Sequence, residues 1–447
     1  MNFKLIKKRF LLAVLLVNFL FSCKNEEPID IETNDFFKSV DKVTEIMVHD
    51  IFSPPVASRV YVYPNIAAYE IIAQKEDYNS LAGQLTNLTA IPKIEQPNVH
   101  IEMAALMAHL ELSKKLIFSE DKLMTYRDSL YSVWEDKNST QFKATKSYAT
   151  QVVSHIEEWM NQDHYAQTRT MPKYTVNTND PSRWQPTPPA YMDAIEPNWN
   201  KIRPMVLDSA SQFKPEKHPE FSLKKNTAFF KELTEVYTVS KEITKKGDNS
   251  EEIQIAQFWD CNPYVSVTRG HLMFASKKIT PGAHWIGITK IACQKNTSNF
   301  DDTVATFTKT SIGIFDGFIS CWDEKYRSNL IRPETLINEH IDEEWKPILQ
   351  TPPFPEYTSG HSVVSGAAST ILTSIFGDNF AFDDTSEIPY GLPVRSFPSF
   401  NKAADEAAMS RLYGGIHYMA AIVNGLSQGR NIGSLVVNNV QLKPTKE

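Results

Sequence analysis

Cysteine is scarce, with four in 447 residues, and one of these, Cys23, closes an amino-terminal apolar run. The other three, Cys261, Cys293 and Cys321, allow one disulfide at most, which excludes a disulfide-stapled scaffold. Positive charge is also in deficit. Lys and Arg number 46 against 53 Asp and Glu, for a net charge of −7, and no basic tail or stripe stands out. That balance argues against a nucleic-acid partner. No long apolar run follows residue 23, which excludes a multispan membrane protein. Strand-like alternation is scarce, so helix is the expected main element. A composition of 42% hydrophobic and 22% charged residues is ordinary globular material with ample core.

The first 22 residues read as a leader rather than as part of the fold. Lys4, Lys7, Lys8 and Arg9 precede an apolar stretch over residues 10–21, too short to span a bilayer but suited to a signal-peptide core. Ser22-Cys23 resembles the lipobox of bacterial lipoproteins. This implies lipid on Cys23, an exported chain and membrane contact through the anchor alone. Residues 23–35 form a polar tether, whose Lys-Asn-Glu-Glu-Pro resembles signals that send lipoproteins to the outer membrane. A plain secretory signal with Cys23 incidental is the alternative.

Apolar residues at three- and four-residue spacing predict helices over 36–52, 64–73 and 100–118. Ser119 with Glu120 and Asp121 behind it reads as a cap, and helices follow to 134 and over 139–160. Residues 161–219, rich in Pro, Asn, Asp, Thr and Trp, read as a long ordered connection, since exposed tryptophans would be costly. Helices resume over 226–236 and 252–259, then from Pro281, over 302–332 and over 402–428. The fold class is all-α, two packed helical bundles, with an N-terminal unit over 36–219 and a C-terminal unit over 220–447.

The stretch of greatest chemical interest is Thr351 to His361, T-P-P-F-P-E-Y-T-S-G-H. Its three prolines exclude helix, so the approach is extended and a helix starts near Ser359. Free N–H groups and the dipole at a helix start suit a small oxyanion, and His361 adds a titratable ring beside it. Lys325 and Arg332, seven residues apart, are expected on one face of a helix that Pro333 stops. Ser410 and His417, also seven apart, are expected to share a face of the last helix. Gly414 and Gly415 inside it would each cost roughly 1 kcal/mol relative to Ala, so a close backbone approach is expected there.

Lys-x6-Arg-Pro, Ser-Gly-His and Ser-Arg-x5-His, in that order, resemble the signature of the type 2 phosphatidic acid phosphatase superfamily. That group includes vanadium-dependent haloperoxidases and acid phosphatases. The resemblance implies an active site in the C-terminal bundle. It implies a vanadate whose oxygens are held by Lys325, Arg332, Ser359, Gly360 and Arg411, with His417 as the one metal ligand. It further implies catalytic roles for His361 as acid–base partner and for Lys325 as polarising charge. Physically the set is coherent, because Arg supplies forked donors and Lys a point charge. The family often has an Asp four residues after the second histidine. Here that position is Ala421, so another acceptor, such as a backbone carbonyl, is expected to orient His417.

Within the superfamily, the long N-terminal half and the loop Pro353-Phe354-Pro355-Glu356-Tyr357 resemble haloperoxidases. The segments from Phe258 to Tyr264 and from Pro281 to Trp285 are similar to bacterial vanadium iodoperoxidases. Trp322, Phe354 and Tyr264 are then the implied halide pocket. The implied substrates are hydrogen peroxide and iodide, with bromide next, and the product is hypohalous acid. An exported acid phosphatase using His417 as nucleophile is the alternative.

Overall fold

The computed structural model describes residues 26–269, 272–275 and 277–444. The leader and Cys23 lie outside the described residues. Five helices form the N-terminal bundle: α1 (Thr33–His49), α2 (Pro54–Ile72), α3 (Ile101–Lys114), α4 (Glu120–Lys137) and α5 (Ser139–Met160). After a short α6 (Tyr165–Thr168) come α7 (Ala228–Lys246), α8 (Glu251–Phe258), α9 (Pro281–Lys295) and α10 (Phe300–Ser328). The set closes with α11 (Pro333–His340), α12 (Gly360–Phe376), α13 (Phe400–Tyr413) and α14 (Met419–Asn439). Among the described residues strand is confined to two antiparallel hairpins, β1 (Ser266–Arg269) with β2 (Leu272–Ala275), and β3 (Phe382–Asp384) with β4 (Arg395–Phe397). The all-α expectation holds. Among the described residues no helix is long and apolar enough to cross a membrane.

Helix α2 is buried along its whole length, packed against α3 and α10, and a continuous apolar core runs through both bundles. Burial on every side explains a misread boundary. Residues 54–63 lack the polar face that gives a 3.6-residue period, so the sequence predicts a start at Pro64. The structure starts at Pro54, behind a Ser53 cap whose Oγ accepts the Val56 N–H at 3.4 Å, and Pro64 lies inside the helix. Ser119 is the N-cap of α4, with Glu120 and Asp121 in the first turn as expected. Its hydroxyl makes no cap bond; Asp50 instead accepts the N–H groups of Phe118 and Ser119, at 3.1 and 2.9 Å.

Two long helices are shorter than expected, for one reason each. Helix α10 ends at Ser328 because Asn329 turns left-handed at φ 54°. Pro333 therefore opens α11 rather than stopping α10, and Arg332 is the residue that caps α11. The last segment breaks between α13 and α14 because Gly415 takes φ +76°. Side chains do approach here as anticipated: a Cβ on Gly414 would lie 2.7 Å from Leu349 Cδ1. Neither seven-residue pair thus shares one helix face. Both Arg332 and His417 sit just beyond a helix end.

The connection after α5 is ordered and buries Trp184 and Trp199 completely. It straps the C-terminal bundle: Trp184 N–H donates to the Asn329 carbonyl at 2.9 Å and Ile195 N–H to the Pro353 carbonyl at 3.0 Å. Asp316 on α10 anchors it further on, accepting the N–H groups of Met205, Val206 and Leu207 at 2.7, 2.8 and 3.1 Å.

Helices α12 and α14 meet backbone to backbone. A Cβ on Gly429 would sit 2.0 Å from the Val363 carbonyl oxygen, and one on Gly433 would sit 2.7 Å from that of Ala367. This contact fixes His361, at the head of α12, relative to His417, two residues ahead of α14. Gly429→Ala should therefore destabilise the protein by about 1–3 kcal/mol or more, read as a lower thermal midpoint by circular dichroism. An unchanged midpoint would show that the two helices are free to separate.

Candidate active site

Ser359 caps α12 as the sequence predicts. Its Oγ accepts the Ser362 N–H at 3.3 Å, and its own N–H donates to the Ala421 carbonyl at 3.1 Å, tying the head of α12 to α14. Gly360 and His361 then face a narrow cavity with about 470 Å³ of atom-free space, mouth included. Arg411, His417, Trp322 and Phe354 line the same cavity. A Cβ built on Gly360 meets only the Trp322 ring, at 3.5 Å, so no protein atom requires glycine there.

Lys325, Arg332 and Arg411 are all buried. Lys325 Nζ donates to the carbonyls of Pro355, Glu356 and Thr358 at 2.9, 3.0 and 2.5 Å. All three of its protons are spent on the 355–358 loop, so it shapes that loop and contributes charge to the cavity. Burial, with Arg332 adding to it, holds the Lys325 ammonium down to about 7. Arg332 donates from Nε to the Phe354 carbonyl at 2.9 Å and from Nη1 to that of Ile416 at 2.8 Å. Its Nη2 is buried with no protein partner. Arg411 donates from Nη2 to the Trp259 carbonyl at 2.7 Å and from Nε to Ser410 Oγ at 2.9 Å.

The two imidazoles are held as neutral rings with defined tautomers. Arg332 Nη1 lies 3.2 Å from His417 Nε2 and has only protons to offer, so Nε2 presents its lone pair. The ring proton is then on Nδ1 and is donated to Glu356 Oε1 at 2.7 Å. The same oxygen accepts the Tyr418 N–H at 2.9 Å. Burial, then Arg332 and Lys325, push the His417 pKa well below the usual histidine value. His361 is depressed likewise, by burial first and Arg411 second. Its ring donates to the Trp259 carbonyl, while Nε2 is buried with no protein partner.

Glu356 is the residue that sequence reasoning passed over. Another acceptor is expected to orient His417 in place of the carboxylate missing at Ala421, and it is a side-chain carboxyl from the proline-rich loop rather than a backbone carbonyl. Burial pushes Glu356 up to about 8, against the pull of Arg332 and Lys325. The available signal was modest: Glu356 is the sole charged residue between Thr351 and Gly360, in a loop otherwise apolar or hydroxylic.

The aromatic wall is partly as expected. Trp322 and Phe354 pack with ring centroids 5.0 Å apart, and Phe354 lies 5.0 Å from Lys325 Nζ and 5.2 Å from Arg332 Cζ. Tyr264 is not among the residues lining the cavity; its neighbours Asn262 and Pro263 are. The Tyr264 backbone is fixed by Asn262 Oδ1 at 3.0 Å and Gln350 Nε2 at 3.1 Å.

Such a site can clasp a small tetrahedral anion between buried cations and a lone-pair nitrogen. Comparison with known proteins points the same way. A family model described as the VCPO second helical-bundle domain matches residues 305–444. A vanadium-dependent bromoperoxidase from Corallina officinalis is 34% identical over 92 residues, 18% of this chain and 15% of that protein. A crystal structure described as the first bacterial vanadium-dependent iodoperoxidase is 64% identical. It covers 95% of this chain and 100% of its own, with a TM-score of 0.91. A bacterial vanadium-dependent chloroperoxidase, 16% identical, has a TM-score of 0.66 over 92% of this chain and 98% of its own, a likeness of fold.

Glu356→Ala should weaken oxyanion affinity roughly 10–100-fold, and Glu356→Gln, which keeps an acceptor oxygen, should recover part of it. Titration with orthovanadate reads both; equal affinities would remove Glu356 from the site. Affinity should also fall as pH rises from about 7, because Lys325 is cationic below its folded pKa and neutral above it. Lys325→Met should bind weakly throughout and lose that limb, after correction for titration of the ligand itself.

Proposed function

The chain belongs to the vanadium-dependent haloperoxidases, with vanadate as cofactor, and from that premise we propose that it oxidises iodide with hydrogen peroxide to hypoiodous acid. The observation that carries the halide assignment is the 64% identity to the bacterial iodoperoxidase over nearly the whole chain. Iodide also gives up electrons more readily than bromide or chloride.

The chain's own donor set supports the fit to vanadate. Arg332 Nη2 and His361 Nε2 are buried nitrogens without protein partners, and His417 Nε2 presents a lone pair. We assign His417 as the metal ligand, and Arg332, Arg411, Ser359 and Gly360 as the groups around the oxygens, with Lys325 supplying charge from one layer behind. When bound, vanadate supplies a Lewis acid that activates the oxidant without changing its own oxidation state. His361, neutral at pH 7 and fixed through Nδ1, takes up a proton from hydrogen peroxide at Nε2. The cationic shell stabilises negative charge that develops on oxygen. Trp322 and Phe354 keep bulk water off the halide's approach. Iodide then gives two electrons to the peroxide oxygen it bonds, and the other oxygen leaves as hydroxide, protonated by His361. The acid-phosphatase alternative gains no support from the relatives.

Export with lipid on Cys23 remains part of the proposal, supported by the basic and apolar leader, and lipid labelling lost in Cys23→Ala would test it. For the chemistry, peroxide-dependent iodide oxidation should require added vanadate, exceed bromide oxidation, and vanish in His417→Ala. Vanadate-independent turnover, or aryl-phosphate hydrolysis indifferent to halide, would overturn the reading.

A further inference from the structure

Against the Arg411 side of the cavity lies a second buried cluster, whose Cys261 also lines that cavity. Cys261, just after Trp259 and Asp260, faces His284 of α9 and Glu387 of the loop after β3. His284 Nδ1 lies 3.4 Å from Cys261 Sγ and 3.2 Å from Glu387 Oε1, and Sγ lies 3.7 Å from the same Oε1. On its far side, His284 Nε2 is 2.8 Å from Asp384 Oδ2, whose other oxygen accepts the Ser386 N–H at 3.0 Å. All four residues are buried.

The three distances are the edges of a coordination polyhedron. With zinc bonds of about 2.3 Å to sulfur and about 2.0–2.1 Å to nitrogen and oxygen, tetrahedral angles give edges of about 3.3–3.6 Å. Hydrogen bonding accounts for them less well. An imidazolium bridging Asp384 and Glu387 would draw both carboxylates to about 2.7–2.9 Å, yet only Asp384 is that close. Charge does not decide between the two arrangements. A dication with thiolate, neutral imidazole and two carboxylates has the same net charge as an imidazolium with a thiol and two carboxylates. The 3.2 Å between His284 Nδ1 and Glu387 Oε1, longer than a charged hydrogen bond, favours the ion. The Asp384–His284 bond is also what a metal-bound histidine has, a carboxylate on the nitrogen away from the ion.

We propose that Cys261, His284 and Glu387 bind a zinc ion, or another divalent cation of borderline softness, with Asp384 orienting His284. Nitrogen, sulfur and carboxylate oxygen together favour zinc over magnesium or calcium, and three protein ligands leave a fourth position for a non-protein ligand. The ion ties three chain segments together. One of them carries the Trp259 carbonyl, which receives both Arg411 Nη2 and the His361 ring. Zinc therefore fixes a wall of the vanadate site.

Elemental analysis of the purified full-length protein, grown with zinc, should find one zinc per chain, counted separately from vanadium. Cobalt(II) in its place should give a thiolate-to-metal charge-transfer band that Cys261→Ser abolishes. Asp384→Asn should weaken zinc affinity about 10–100-fold while circular dichroism shows the helices intact. Wild-type protein with far less than stoichiometric metal and no cobalt–thiolate band would overturn the proposal and leave the cluster as an imidazolium pair. Because metal content and the cobalt spectrum are read without turnover, neither result depends on the halide assignment.

Discussion

Crowding of like charge is the constraint on which the rest of the structure depends. Lys325, Arg332 and Arg411 are buried beside one cavity with two imidazoles, and the Glu356 side chain bonds His417 from the loop between. Removing a charge from water is costly unless its protons find acceptors. The fold meets this with backbone carbonyls: those of Pro355, Glu356 and Thr358 for Lys325, Phe354 and Ile416 for Arg332, and Trp259 for Arg411. Such carbonyls are free because the chain is irregular there, in a proline-rich loop, a glycine-broken junction and a helix end. The irregular backbone is thus what makes a cationic cavity tolerable.

Helix ends also explain what was legible in the sequence. The chemical identity of the site was readable, since Lys325, Arg332, Ser359, Gly360, His361, Arg411 and His417 converge in the structure. Its local geometry was not. Two seven-residue spacings imitate two helical turns, but Asn329 and Gly415 adopt left-handed conformations between the members of each pair. A non-glycine residue that turns left-handed leaves little trace in one sequence, and the glycine pair read as an anomaly within a helix rather than as its end. Glu356 escaped notice because nothing in a lone carboxylate announces that it will be buried beside a histidine 61 residues away.

The N-terminal half shows the complementary failure. Amphipathic helices such as α5 were placed to the residue, because a polar face gives them a period. Helix α2 was found only in its second half, because a helix wrapped on all sides has no polar stripe to read. The tryptophan-rich connection was recognised as ordered from the cost of leaving indoles in water. Its task of bracing Asn329 and Pro353 from behind depends on backbone hydrogen bonds, which carry no residue signature.

The junction between α13 and α14 has a consequence for when the enzyme is assembled. The seat of His417 depends on α14 docking against α12, whose head carries His361. A polypeptide made from its amino terminus therefore has no complete anion trap until α14 has been added. Enclosure of an anion must therefore follow the docking of these two helices, which sets an order of assembly.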